Sequence, residues 1–327
     1  MALDLLADNS ITNRSWPAPA EGVRDVTFYV MGADEIGAPG GYWTTLDDFP
    51  TPAPQRWFLG ADGSLAPAAP AGAAAGTRSY TYDPRDPVRT IGGNNLEIKC
   101  GPLDQRPLEG RQDVLLFTSA PLAAPLAITG ELMATIFAST NVTDTDIVVK
   151  LIDVYPGADA GDPLLAGESI LVQDGISRLK WRNWRTDNAV APLSGDAADV
   201  YETTVSLWTT SYVFNKGHRI RVHVTSSNAP RFSPNPNTGD SFSAANATAA
   251  TTIHFDGGAA SSFFTLPVVS LDALPRFPIE AAVDAMAARH EAAWRGSRAG
   301  AAGGALAAWL GERAEAAIAA AAPRRRA

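Results

Sequence analysis

The feature that most constrains the fold is a series of short β-rich runs between residues 115 and 269. Val, Ile, Thr and aromatic residues dominate the runs, and Gly, Asn, Pro and Asp separate them. No helical pattern lies between successive runs, so parallel βαβ units are not expected. The sequence therefore predicts a mainly β fold, a β-sandwich of jelly-roll type. The runs are LAITGELMATIFAS, DIVVKLIDVY, LLAGESILVQDG, DVYETTVSLW, HRIRVHVTS, ATTIHF and FFTLPVV.

The run HRIRVHV, residues 218–224, alternates polar and apolar side chains. Because successive side chains of a strand point to opposite faces, one face is expected to enter the core. The face predicted to point inward carries Ile220, Val222 and Val224, and the outward face carries Arg219, Arg221 and His223.

Composition along the chain predicts four segments. Residues 1–60 contain the strand-like VRDVTFYVMG and tryptophan- and proline-rich sequence, and residues 61–80 form an Ala/Pro/Gly-rich linker. Residues 81–271 hold the β-rich runs. Residues 272–327 are Ala-rich, with Pro278 at a predicted first helical position, and they predict a helical hairpin.

Charge and hydropathy exclude some partners. The net charge of −9 and the pI near 5.0 argue against nucleic-acid binding, which needs clustered Lys and Arg. The N-terminus lacks the pattern of a signal peptide, and no window is apolar enough to cross a bilayer. The single cysteine, Cys100, excludes an internal disulfide and fits a reducing compartment. We therefore expect a cytoplasmic protein that does not contact membranes.

A search for catalytic motifs predicts no catalytic residue. Ser169 and Ser177 follow a glycine by two positions, but neither is followed by the second glycine of a nucleophile elbow. No two histidines have the spacing of a helical zinc site, so each is interpreted as a structural or surface residue. The histidines are His218, His223, His254 and His290.

Metal and cofactor motifs are equally sparse. Asp144 and Asp146 open a strand, and Asp153 lies further along it, which leaves calcium as an alternative to two solvated acids at a strand entrance. The loop spacing of an EF-hand is missing, and there is no G-x-G-x-x-G or Walker motif. We expect neither a metal nor another cofactor.

Several segments, read in order, resemble one family. They look like the C-terminal part of the X-Pro dipeptidyl-peptidase and cocaine-esterase (CocE/NonD-type) family of serine hydrolases, over roughly residues 23 to 270. The upstream VTFYVMGADE is similar to the end of that family's α/β-hydrolase domain. The segments are YDPRDPVRTIGGNNL, GPLDQRPLEGRQDVLLFTSAPL, ITGELMATIFAST, TDTDIVVKLIDVYPG, VYETTVSLWTTSYVFNKGHRIRVHVTSSNAPRFSPNPNTG and LPVV.

The resemblance implies a parent with a hydrolase domain, a helical cap and a C-terminal galactose-binding-like jelly roll. Its chemistry is Ser-His-Asp acyl transfer to water, on X-Pro peptides, amino-acid esters and other acyl esters. The family's triad lies before residue 1, so no catalytic residue is carried over. By resemblance, GGNNLEIKC (residues 92–100) approaches the active-site cleft, which makes Asn94, Asn95, Leu96 and Glu97 predicted pocket residues; a plain surface loop is the alternative.

The segment SSNAPRFSPNPNTG, residues 226–239, resembles a structural signature of the jelly roll. Its three prolines fix φ and remove donors, which stops the strand. Its asparagines can form Asx turns, and Arg231 is a candidate clamp for carbonyl groups. We expect folding and domain docking rather than catalysis. The signature residues are Asn228, Pro230, Arg231, Asn235, Asn237 and Gly239.

Three hypotheses follow. The leading one is a C-terminal hydrolase part, inactive alone, whose partner is an α/β-hydrolase catalytic domain made separately or lost; small acyl ester or peptide substrates would bind only after complementation. The second is a stand-alone carbohydrate-binding module, in which Trp181, Trp184 and Trp208 stack on sugars. The third is a truncated gene product with an incomplete N-terminal sheet. The tail would serve self-association or coverage.

Overall fold

The β-rich runs form strands in the computed structural model of the chain, which describes residues 22–157, 165–240, 242–282, 284, 285 and 288. Each run named above contains a strand, so the prediction of a mainly β fold is confirmed. The strands are β1 (Val26–Gly32), β2 (Tyr42–Leu46), β3 (Ala53–Leu59), β4 (Leu65–Ala66), β5 (Gly76–Tyr82), β6 (Leu115–Thr118), β7 (Leu126–Thr140), β8 (Asp146–Val154), β9 (Ser169–Arg178), β10 (Tyr201–Phe214), β11 (Arg219–Thr225), β12 (Ala249–Phe255) and β13 (Phe263–Val269).

Helical structure is short in the described residues. Two single-turn helices, α1 (Arg106–Glu109) and α2 (Trp184–Asp187), lie in connections between strands. Turns of 3-10 helix occupy Gly72–Ala74, Leu179–Trp181 and Leu271–Ala273. None of the helices in the described ranges is long and apolar enough to cross a membrane.

The chain divides into two compact units. Unit 1 contains residues 22–29, 42–49 and the described residues from 274 onward, and unit 2 contains residues 30–41 and 50–273. The predicted domain limits at 60, 80 and 271 stay predictions. Residues 53–82 nevertheless share the core of unit 2, because Trp57, Leu59 and Leu65 are buried in it.

Unit 2 contains two sheets. In the larger sheet β7 is central, with β10 antiparallel on one side and β13 on the other, followed by β3 and β4. β12 pairs with the end of β7 and with β5, and the last residues of β1 run parallel to β10. The smaller sheet is antiparallel, in the order β6-β11-β8-β9.

The inner faces of the two sheets bury one continuous apolar cluster. β7 contributes Ile128, Leu132 and Ile136 at every fourth position, and β8 contributes Ile147 and Val149. Full burial of each such side chain stabilises the fold by about 1.5–3 kcal/mol. Two sheets that share one core form a β-sandwich, as predicted. The predicted core residues of β11, Ile220, Val222 and Val224, are all 0 % exposed.

The outer face of the smaller sheet is not open to solvent. His223 lies on the outer face, as its alternation with Val222 and Val224 predicts, but it is only 1 % exposed, whereas Arg219 is exposed. It is buried because the segment that carries α1 covers part of this face: Glu109 lies against His223, and Gln105 lies against Lys150. Sequence alternation distinguishes the two faces of a strand but does not report a distant segment that covers one of them.

Unit 1 has its own contacts. Arg24 pairs with Asp47, and Thr27 hydrogen bonds Thr45 across β1 and β2, 2.8 Å between the hydroxyl oxygens. The Tyr42 hydroxyl donates to the Leu274 carbonyl at 2.8 Å. Residues 279–282 are helical, and the predicted hairpin beyond residue 288, with His290, lies outside the described residues, as do residues 1–21.

Candidate functional site

The predicted pocket residues lie on a loop that leaves the β-sandwich between β5 and β6. Residues 92–101 form this loop, and its two ends are joined because Gly93 and Gly101 exchange backbone hydrogen bonds of 2.8 and 3.0 Å. Gly92 has a φ of +70°, and a Cβ atom there would collide with the Gly101 carbonyl. Glycine is therefore required at this close approach of the two ends.

Hydrogen bonds of the Asn95 side chain hold the tip of the loop in place. The side-chain nitrogen of Asn95 donates to the Gly92 carbonyl at 3.0 Å, and its oxygen accepts from the Ile98 amide at 3.1 Å. Asn94 and Glu97 are exposed, and Leu96 is 100 % exposed. The tip thus presents one apolar side chain, Leu96, to the exterior on a backbone that is held in place by hydrogen bonds.

The base of the loop is held by Gln105, which is fully buried. Its amide nitrogen donates to the Ile91 and Leu103 carbonyls, both at 2.9 Å, and these residues flank the loop on either side. Its amide oxygen accepts from Lys150 Nζ at 3.0 Å. One side chain therefore fastens both ends of the loop to β8. Sequence reasoning missed Gln105 and Lys150, although the lysine interrupts the apolar run of β8.

A row of polar residues runs beneath this clamp across the outer face of the smaller sheet. His223, Lys150 and Asp174 are neighbours in strand register, and all three are buried. Burial lowers the pKa of Lys150 to about 8, although the Asp174 carboxylate opposes this. Burial also lowers the pKa of His223 to about 4, so the ring is neutral near pH 7 in spite of Glu109 at 3.4 Å.

The predicted signature residue Arg231 joins the row. Its guanidinium pairs with the carboxylate of Asp174 rather than with carbonyl groups, which corrects the expectation of a carbonyl clamp. Asn228 donates to the other oxygen of Asp174 at 2.9 Å. A Cβ atom on Gly93 would lie 3.0 Å from Arg231 Nη1, so the guanidinium packs directly under the loop. The structure thus brings Asn228 and Arg231 to the base of loop 92–101.

The rest of the signature lies around a second buried group. Asn235 forms the predicted Asx turn, because its side-chain oxygen accepts from the Asn237 amide at 2.9 Å. Its amide nitrogen donates to Asp146 at 2.8 Å. Asn237 donates to the Ala247 carbonyl at 2.7 Å, and the Gly239 carbonyl accepts from Lys180 Nζ at 2.9 Å. These contacts shape the segment after β11.

The acids considered for calcium pair with cations of the chain. Arg178 contacts both carboxylate oxygens of Asp146, at 2.8 and 3.1 Å, and Lys180 Nζ lies 3.5 Å from Asp144. Burial raises the pKa of Asp146, and Arg178 opposes that change. Asp153 instead contacts His218, at 2.8 Å. The described residues contain no group of three or more His, Cys, Asp or Glu side chains placed to hold a metal ion.

The structure brings one serine next to a histidine. Ser139 Oγ lies 3.0 Å from His254 Nε2 between β7 and β12, but Ser139 is 2 % exposed and sits inside a sheet. A substrate cannot reach this hydroxyl, and the surrounding strands provide none of the strained turn that a nucleophile elbow requires. Ser169 and Ser177 lie on β9, with Ser177 bonded to Thr203 at 3.1 Å.

The predicted sugar-stacking tryptophans do not form one platform. Trp181 and Trp184 meet edge to face, 5.0 Å apart at an interplanar angle of 80°, after β9. Trp208 is 69 % exposed on β10, in a different element. Sugar binding on this arrangement stays a prediction.

Comparisons with known proteins agree on one family. The model of the X-Pro dipeptidyl-peptidase C-terminal non-catalytic domain matches residues 18–263. The chain is 37 % identical over 229 residues to the cocaine esterase of Rhodococcus sp. (strain MB1 Bresler), covering 67 % of this chain and 36 % of that protein. It is 30 % identical over 236 residues to a putative serine esterase of Mycobacterium bovis, covering 64 % and 36 %.

Solved structures give the same result. An α-amino acid ester hydrolase matches with a TM-score of 0.62 and 29 % identity, covering 70 % of this chain and 39 % of that one. An aminopeptidase from a marine sediment Thaumarchaeota archaeon matches with a TM-score of 0.66 and 28 % identity, covering 82 % and 43 %. The chain thus spans little more than a third of the curated relatives it matches.

Proposed function

This chain belongs to the family of X-Pro dipeptidyl-peptidase C-terminal non-catalytic domains, and on that premise we propose that it completes a serine hydrolase of the cocaine-esterase type. Its part is to dock on an α/β-hydrolase catalytic domain and to supply one wall of the substrate pocket. In this proposal the catalytic serine, histidine and aspartate belong to that domain.

The observation that carries the proposal is loop 92–101. It presents a fully exposed Leu96 from a backbone that Gln105 and Arg231 hold from below. A partner surface that covers Leu96 would remove its apolar area from water, which favours docking. A preformed loop also lowers the entropy lost on docking.

The substrate class follows from the chemistry that the relatives share. Their names describe esterases, an ester hydrolase and an aminopeptidase, which all cleave an acyl bond to oxygen or nitrogen. We therefore propose an acyl ester or amide substrate, with Leu96 against its apolar acyl part. We propose that Asn94 and Glu97, which are both exposed, contact its polar groups. The strand connectivity of the sandwich is proposed to be that of a jelly roll.

The first test is on the chain alone. A fluorophosphonate probe and a p-nitrophenyl ester should give no serine labelling and no turnover, because the described serines lack an accessible catalytic histidine. Stoichiometric labelling would contradict the proposal, and the labelled serine would identify a different active site.

The second test is complementation. The catalytic part of the Rhodococcus cocaine esterase, without its matched C-terminal third, should hydrolyse the ester faster when co-expressed with this chain. The control is the same catalytic part expressed alone, without this chain, which should hydrolyse the ester at the slower rate. A folded complex that shows no gain in activity would contradict the docking role.

A further inference from the structure

The loop from residue 33 to residue 41 is fastened to the β-sandwich by a buried group of side chains around His218. His218 is 1 % exposed at the entrance to β11. Its Nδ1 lies 2.8 Å from Asp153 Oδ1, and its Nε2 lies 3.1 Å from Glu35 Oε2. Glu35 belongs to the loop and Asp153 to β8, so the ring bridges the loop and the smaller sheet.

The side chains that surround His218 belong to unit 2. The Tyr212 hydroxyl of β10 donates to Asp153 Oδ2 at 2.8 Å, and Asn215 donates to Glu35 Oε2 at 2.6 Å. The Tyr155 ring packs 4.6 Å from the His218 ring, and its hydroxyl accepts from the Asp34 amide at 3.0 Å. The charged groups that face the imidazole are therefore carboxylates, and the tyrosines are neutral.

The hydrogen count of this arrangement decides its chemistry. An ionised carboxylate only accepts hydrogen bonds, whereas a neutral imidazole carries one N–H and one lone pair. Two carboxylates on the two ring nitrogens therefore require a hydrogen on both nitrogens, which is the imidazolium ion. If the ring loses a proton, one nitrogen turns a lone pair toward a carboxylate oxygen, and that contact becomes repulsive.

We propose that protonated His218 is a pH-dependent latch that holds loop 33–41 on the β-sandwich, and that its deprotonation releases Glu35 and frees the loop. The inference does not depend on the proposed function. When the latch is closed, the loop holds Ile36, which is fully exposed, in a fixed position. When it opens, Glu35 loses its contact with the His218 ring, and the apolar tip of the loop becomes mobile.

The electrostatic balance favours the protonated ring. Burial by itself lowers the pKa of His218, but Asp153 and Glu35 together outweigh it, and the pKa is raised above its usual value of 6.5. A raised pKa means that the stabilising charge is fully present below pH 6.5 and is lost as the pH rises through the folded-state pKa. Release is thus expected on the alkaline side.

A spin label on the loop tests the proposal. Ile36→Cys accepts the label, and Cys100→Ser removes the exposed native thiol. Mobility is recorded by electron paramagnetic resonance from about pH 6 to about pH 10, while nuclear magnetic resonance follows the His218 ring. We expect an immobilised label at low pH and a mobile label above one transition, whose midpoint equals the His218 midpoint. Glu35→Gln should abolish the transition, and His254→Gln, the matched control, should leave it unchanged.

Two results would overturn the latch. One is a His218 ring that titrates while the label mobility stays constant. The other is a neutral His218 ring at about pH 6 in the wild-type chain, which needs no variant to be measured. His218→Gln, which removes the titrating ring, should also abolish the transition. If that variant fails to fold, the wild-type titration and Glu35→Gln still decide.

Discussion

Lys150 donates a hydrogen bond of 3.0 Å to the side-chain oxygen of Gln105, in the buried layer that separates β8 from the base of loop 92–101. Because this contact fastens the loop to β8, the position of the exposed Leu96 depends on the two buried residues Gln105 and Lys150. The stability of the buried layer and the position of the loop are therefore linked.

Gln105→Leu should reduce the free energy of unfolding by about 2–4 kcal/mol, because the Ile91 and Leu103 carbonyls and the Lys150 ammonium lose their partner in a buried place. Urea unfolding measures the loss. Lys99→Met, which removes an exposed lysine of the same loop, is the control and should stay within about 0.5 kcal/mol of wild type. Equal stabilities would show that the clamp contributes nothing.

Lys150 should make the chain more stable as the pH rises from about 8 to 10.5. Its pKa is about 8 in the folded state and 10.5 when unfolded, so the unfolded chain binds more protons in that window. Stability then increases with pH, by about 3 kcal/mol for this group alone. Lys150→Met should remove this rise when urea unfolding is repeated across the window. A variant that keeps the wild-type slope would disprove the assignment.

His223 should make the chain acid-sensitive between pH 6.5 and 4. Its pKa is about 4 in the folded state and 6.5 when unfolded, so the unfolded state takes up the proton first and stability falls as the pH drops. The loss is about 3 kcal/mol at most. In His223→Leu the fall in stability should be smaller. The difference in stability from wild type should be constant above about pH 7.5, where the His223 ring is neutral in both the folded and the unfolded state. A parallel fall in both proteins would contradict the prediction.

Arg178→Met should cost about 3–5 kcal/mol, because it leaves the buried carboxylate of Asp146 without its guanidinium. Arg85→Met breaks an ion pair of similar geometry with Asp83 on the surface, and it should cost far less, because solvent screens an exposed pair. Thermal and urea unfolding of both variants give the comparison. Similar costs for the two would mean that burial of Asp146 is not what makes its pair important.

Leu96→Ala should leave the stability of the isolated chain unchanged, because the side chain is fully exposed. In the complemented hydrolase it should lower kcat/KM for esters with a large apolar acyl group by roughly tenfold, the loss of about 1.4 kcal/mol of contact with that group. Phe242→Ala, an exposed apolar residue outside the loop, is the control. Equal effects of the two variants would exclude Leu96 from the pocket.

Most of the sandwich could be predicted from the sequence. The alternation of Ile220, Val222 and Val224 gave the correct core face of β11, and the runs of β-branched residues gave the strands. The Asx turn at Asn235 was also predictable, because its partner lies two residues away. These features depend on local conformational preference and on a period of two, which are properties of neighbouring residues.

The buried polar row could not be predicted in this way. His223 alternates correctly as an outer-face residue, yet it is buried because α1 and Gln105, more than a hundred residues earlier in the chain, cover that face. Arg231 was expected to bind carbonyl groups, and its actual partner, Asp174, lies on another strand. These ion pairs form between residues that are close in space and far apart in the chain, so the sequence around one member does not identify the other.

The sequence by itself determined the β-strands, the inward residues and the family resemblance, because all three are written in short local patterns. Only the tertiary structure decided which polar residues are buried, which ions pair and how loop 92–101 and His218 are held. The physical reason is that burial and pairing free energies depend on the dielectric and on distances of a few ångströms between segments far apart in the chain. Local sequence fixes neither of these quantities.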